Sequence, residues 1–213
     1  GGATVPENRH SAEDSADWSL ALDDLEASLP NAGTVLLVVG WFGDDLRCGQ
    51  CTVRPKVETA TKTTTPGAWK VHTLDRSTAL VVSNFGGTSA YGGTPSDQSI
   101  ARAIRDLKAR GYAVVFYPFL FMDVAQGNLL PNPYGGTGQP AYPWRGRITC
   151  DPAPGRPGSP DGTSATQAQI DAFFGVGDPE AWGYRRMVLH YAGLVASAGG
   201  VDAFLIGSEL KGL

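Results

Sequence analysis

The stretch Val201–Leu213 (VDAFLIGSELKGL) sets the strongest limit on what this chain folds into. Ala203-Phe204-Leu205-Ile206 is an apolar run without alternation, which predicts a strand buried on both faces, as in a parallel sheet covered by helices. The run ends at Gly207-Ser208-Glu209, so a carboxylate falls just past the carboxyl end of the strand, where α/β barrels carry their chemistry. Ser208-Glu209 also suits a helix entrance, where a hydroxyl caps the first turn and an acid meets the positive end of the helix dipole. Glu209 therefore has two readings side by side, candidate catalytic residue and helix start.

Three further apolar runs end in polar residues in the same way. Thr34–Gly40 (TVLLVVG) leads into Trp41-Phe42-Gly43-Asp44-Asp45, Leu80-Val81-Val82 into Ser83-Asn84, and Tyr112–Leu120 (YAVVFYPFL) into Phe121-Met122-Asp123. Helical spacing of apolar residues predicts helices over residues 17–29, between Ser96 and Arg110, over 163–174 and over about 180–198. Buried strands alternating with helices give the fold class α/β, with a parallel sheet and right-handed crossovers. The Thr-rich, Pro-punctuated residues 46–73 are expected to be extended or irregular, and the polar residues 1–14 to be loose. The Gly-rich segment 85–93 matches neither phosphate-binding fingerprint and reads as a turn.

Composition narrows the partners. Lys and Arg number 17 against 21 Asp and Glu, for a net charge of -4. The largest basic cluster is the pair Arg185-Arg186, so no nucleic-acid partner is expected. No apolar run approaches the roughly 20 residues that span a bilayer, so no membrane span is expected. Cys48 and Cys51 have C-x-x-C spacing, but Cys150 and the three histidines (His10, His72, His190) add no recognisable ligand spacing. No metal and no cofactor are therefore expected, and the three cysteines read as incidental thiols or as one disulfide. His190, in an apolar helical stretch, reads as a satisfied core residue.

Residues 125–161 form a long insertion rich in Pro and Gly, carrying Tyr134, Tyr142, Trp144, Arg145 and Arg147. A loop of this length in a compact domain reads as a lid or contact surface. Aromatic residues beside arginine suit sugar stacking, a protein partner and plain loop packing alike.

The segments GWFGDDLRCGQCTVRPKVE, YGGTPSDQSIARAIRDLKARGYAVVFYPFLFMDV, YPWRGRITC and FLIGSELKGL together resemble a known family. They are similar to the N-terminal half of the TIM-barrel-like, glycoside-hydrolase-like domain in the large tail protein of gene transfer agents and related tailed phages, a baseplate or host-specificity protein. The resemblance covers nearly all of residues 34–213. It implies a (β/α)8 barrel of which about the first four β/α units are present. Residues 1–33 are then a polar segment and leading helix, and 34–213 the half barrel with its insertion.

The same resemblance implies a structural component made in the bacterial cytoplasm and residing at the tail tip of a virion or gene transfer agent. Implied partners are other tail or baseplate subunits, the C-terminal half of the barrel, and cell-envelope or peptidoglycan glycans. A half barrel has two open sheet edges, which favours self-association. In the barrel glycosidases an acid/base follows the fourth strand and a nucleophile the seventh; Glu209 fits the first position and the second has no counterpart. An alternative function is thus an active glycoside hydrolase using Glu209 as general acid/base. Hydrolysis needs two carboxyl groups, about 5–5.5 Å apart for retention or about 6.5–9.5 Å for inversion. Asp44, Asp45 and Asp123, also at strand ends, are secondary candidates that equally suit bonding to loop backbone or to an arginine. Trp41, Tyr134, Tyr142, Trp144, Arg145 and Arg147 are the candidate glycan contacts.

Overall fold

The structure is a computed structural model that describes residues 5–12 and 15–213. The expectation of a loose segment over residues 1–14 falls partly outside the described residues. In chain order the elements are α1 (Asp17–Ser28), β1 (Thr34–Gly43), β2 (Val53–Arg54), β3 (Lys56–Val57), β4 (Lys70–Val71) and β5 (Leu74–Asp75). They continue with β6 (Leu80–Val81), β7 (Asn84–Phe85), β8 (Thr88–Ser89), α2 (Asp97–Ala109), β9 (Ala113–Met122), a 3-10 turn (Arg145–Arg147), α3 (Ser164–Phe174), α4 (Tyr184–Ser197) and β10 (Ala203–Phe204).

The main sheet has the order β10-β9-β1-β2. β1 and β9 are parallel and paired along their whole length, from Thr34 opposite Ala113 to Gly43 opposite Met122. β10 joins the far side of β9 in parallel through Ala203 and Phe204, and β2 joins β1 in antiparallel. The result is a mixed α/β fold with a curled half-barrel sheet, compatible with part of a TIM-barrel-like fold.

Strand parity divides the sheet into two faces. Val39, Trp41, Phe116 and Leu120 lie in one buried cluster with Ile100 and Ile104 of α2 and Met187, Tyr191 and Val195 of α4. At the amino end, Val114 joins Leu107 and Leu22 of α1 in a second cluster. The helices thus cover one face. On the other, Leu36 and Val38 are 51% and 45% exposed beside the partly exposed Phe119 and Phe121.

Of the run Ala203–Ile206, expected to be a strand buried on both faces, only Ala203–Phe204 is strand, and Leu205 and Ile206 are 39% and 73% exposed. Two further expectations are corrected here. The run at residues 80–82 is not a strand of the main sheet. β6 instead pairs in parallel with β3 in a separate two-stranded sheet. β1 takes β9 directly along ten residues, so no strand can lie between them, and Leu80 and Val81 stay 47% exposed. Among the described residues the main sheet has three parallel strands, and Glu209 follows the third. Secondly, no helix begins at Ser208-Glu209, which lies in irregular chain ending in a turn.

The insertion is tied to the end of β1. Gln139 accepts from Leu46 N at 2.8 Å and donates to Asp45 Oδ1 at 2.6 Å and to Pro131 O at 2.8 Å. Arg47 and Thr149 form an isolated parallel bridge. Each buried polar group of this junction thereby has a partner, as burial requires.

Candidate functional site

The carboxyl ends of β1, β9 and β10 bring the four candidate carboxylates to one end of the sheet, but in different states. Asp44 accepts from Thr52 N at 2.7 Å and Thr52 Oγ1 at 2.6 Å. Asp45, 4% exposed, accepts from Arg47 N, Nε and Nη2 as well as from Gln139. Asp123 pairs with the buried Lys56 Nζ at 2.7 Å and accepts from Ser83 N at 3.0 Å. Each of these three is occupied in joining a loop to a strand end.

Glu209 is different. Its side chain is 52% exposed, on a residue with a left-handed backbone at φ 57°. Its Oε2 forms an ion pair with Arg145 Nη2 and accepts from Trp144 Nε1 at 3.2 Å. Arg145 has a side chain only 8% exposed and is fixed on several sides. Its Nε donates to Ser208 O at 3.2 Å, its Nη2 to Ser208 Oγ at 3.2 Å and to the Tyr117 hydroxyl at 3.3 Å, and its guanidinium lies 3.8 Å from the Phe119 ring centre. Tyr117 and Ser208 also share a hydrogen bond. Behind them, the Tyr184 hydroxyl donates to Ile206 O at 3.1 Å, and burial pushes its pKa up to about 12.

Trp144, 49% exposed, lies on Gly146, where an added Cβ would stand 2.4 Å from the ring. The absent side chain is what lets one ring face rest on backbone. From this corner a file of aromatic rings crosses the open face. Phe119 and Phe121 lie 4.6 Å apart, Phe121 and Tyr91 5.5 Å, Tyr91 and Tyr142 5.8 Å, and Tyr142 and the exposed Phe85 5.9 Å.

The other candidate contacts are placed apart from this corner. Trp41 is fully buried on the helix-covered face, where its Nε1 donates to the Tyr191 hydroxyl at 2.8 Å; as a glycan contact it is corrected to a core residue. Tyr134 donates to Arg147 O at 2.8 Å, and the Arg147 guanidinium stacks 4.6 Å from the Tyr134 ring centre, so these two brace the insertion. Tyr117, Phe119, Tyr91 and Ser208 were not among the sequence candidates. Phe119 and Tyr117 stand two residues apart in one strand, and that spacing is the signal that would have put them on a common face.

Among the described residues no group of three or more His, Cys, Asp or Glu is arranged to hold a metal ion. Cys48, Cys51 and Cys150 are free, buried thiols. Burial pushes Cys48 up to about 11 and Cys51 up to about 12. His190 Nε2 is 2.9 Å from Asp97 Oδ1, so it is a partnered helix residue. It borders an open cleft of about 590 Å³ with His72, Arg186 and Leu189, which shares no lining residue with the Glu209 corner. No helix is long and apolar enough to cross a membrane among the described residues.

No curated protein matches the chain. Residues 182–213, which include α4, β10 and the Gly207-Ser208-Glu209 segment, match the family model of the GTA TIM-barrel-like domain, the family that the sequence segments resemble.

Proposed function

We propose that the chain is part of a gene transfer agent or phage-type tail component whose half barrel binds cell-envelope glycan. The observation that carries this reading is the file of aromatic rings from Phe85 to Phe119, which meets Arg145 at Phe119 and through it the exposed Glu209 and Trp144. Sugar rings present apolar C–H faces and polar edges, and an aromatic file beside hydrogen-bonding groups answers both. The match of residues 182–213 supplies the particle context.

Among the described residues, the state of the carboxylates supports binding. Glycoside hydrolysis by the two-carboxyl route needs a second free carboxyl opposite the first. Asp44, Asp45 and Asp123 are each engaged by backbone amides or cations. Glu209 is the half-exposed carboxylate that remains.

The test is affinity electrophoresis of the chain through gels containing bacterial envelope polysaccharide, with reducing ends counted in the same samples. Retardation without new reducing ends, reduced by Trp144→Ala, is expected. Reducing ends that disappear in Glu209→Gln would establish the hydrolase instead, and no retardation at all would overturn the glycan reading.

A further inference from the structure

Among the described residues, the ion pair at the corner leaves two polar atoms without hydrogen-bond partners. Glu209 Oε2 takes both Arg145 and Trp144, and no hydrogen bond reaches Oε1 among the described residues. Arg145 uses Nε and Nη2 on Ser208, Tyr117 and Glu209, and no hydrogen bond reaches Nη1. Nη1 is not fully sealed from solvent, although the side chain is only 8% exposed. A carboxylate oxygen only accepts and a guanidinium nitrogen only donates. The corner therefore offers one acceptor and one donor on the two members of a single ion pair, next to the half-exposed Trp144.

We propose that Glu209 and Arg145 together read a vicinal diol on a neutral sugar ring stacked on Trp144. This rests on the glycan reading above and names the ligand chemistry. One hydroxyl donates to Glu209 Oε1, and its neighbour accepts from Arg145 Nη1. Both bonds involve a charged group, which makes them the stronger class. A sugar carboxylate at this place meets the Glu209 charge at close range and is disfavoured, because Arg145 is already shared. The three anchors on Arg145, and the bonds from Arg145 and Trp144 to Glu209, hold the two groups before a ligand arrives, so little ordering is left for binding to bring about.

The test is binding of the chain to four soluble glycans: xylan, which carries vicinal diols along its chain; hydroxyethylated curdlan of low substitution, neutral and with linkages that leave none within the chain; polymeric glycol chitin, in which an acetamido group replaces one hydroxyl of each internal ring; and polygalacturonate, which has the diol and a carboxylate. Each is used before and after periodate oxidation, which cleaves vicinal diols. Xylan is expected to bind and to lose about tenfold or more in affinity after oxidation, which removes both hydroxyls and opens the ring that carries them. Glu209→Gln keeps an acceptor and removes the charge, and is expected to narrow the preference for xylan over polygalacturonate. Near-ultraviolet circular dichroism confirms that the variant is folded. Equal binding before and after oxidation, or binding of curdlan or chitin as strong as that of xylan, overturns the diol inference and leaves the glycan reading standing. Binding of none of the four overturns the diol inference, while the gel experiment above decides the glycan reading separately.

Discussion

Trp41 on β1 and Tyr191 on α4 are joined by a hydrogen bond of 2.8 Å from the indole Nε1 to the phenol oxygen, with both residues fully buried. The bond fixes α4 against the sheet and so sets where the chain re-enters as β10 and where Glu209 emerges. Tyr191→Phe keeps the ring and removes the acceptor, leaving a buried indole N–H unpaired. The expected loss is about 1–3 kcal/mol of stability. Urea unfolding checks it; an unchanged midpoint would mean that ring packing alone seats the helix.

Lys56 and Asp123 form a buried ion pair that carries the β3–β6 segment onto the end of β9. Removing Lys56 leaves the buried Asp123 charge without a cation, with the Ser83 amide as its remaining hydrogen-bond donor. Lys56→Met is therefore expected to cost about 3–5 kcal/mol, and Lys56→Met with Asp123→Leu to cost less than the single change. The comparison is a double-mutant cycle read by thermal unfolding. Additive losses would show that the two residues do not interact energetically.

Gly146 supports Trp144. An alanine Cβ there would fall 2.4 Å from Trp144 Cζ2 and 2.5 Å from Cη2, so the ring must leave its place. Because Trp144 is 49% exposed, the fold itself loses little. Gly146→Ala is expected to weaken glycan binding roughly two- to tenfold, the worth of an aromatic contact, and to shift Trp144 emission. Isothermal titration of wild type and variant against the same polysaccharide measures it, and equal affinities would remove Trp144 from the contact surface.

The sequence made β1 and β9 legible because both are long apolar runs whose length alone suits a buried parallel strand. Leu80-Val81-Val82 has the same composition over fewer residues, and tertiary pairing placed it elsewhere. When β1 can pair with β9 over ten residues, a short run adds more by pairing with β3 outside the sheet. Trp41 illustrates a second limit. Successive strand residues face opposite ways, and in a strand apolar on both sides nothing local says which parity meets the helices. Glu209 was visible through its place at a strand end. Its partner Trp144 lies 65 residues away, in an insertion whose path depends on Gln139 and Asp45, and no sequence pattern encodes that approach.

The buried thiols give the chain an alkaline limit. An ordinary cysteine ionises at 9.0, whereas burial holds Cys48 to about 11 and Cys51 to about 12 in the folded state. A raised folded pKa means that the unfolded chain releases protons first. The stability contributed by these thiols is thus fully present below pH 9.0 and is lost as pH rises toward 11 for Cys48 and 12 for Cys51. Each thiol adds at most about 1.4 kcal/mol of loss per pH unit in that window. Urea unfolding at a series of pH values from neutral to alkaline is expected to show a steeper decline for the wild type than for Cys48→Ala with Cys51→Ala. The comparison of slopes cancels the constant cost of the two cavities and the titration of groups common to both proteins. Parallel slopes would mean that water reaches the thiols readily enough for them to ionise in the folded chain as they do in the unfolded one.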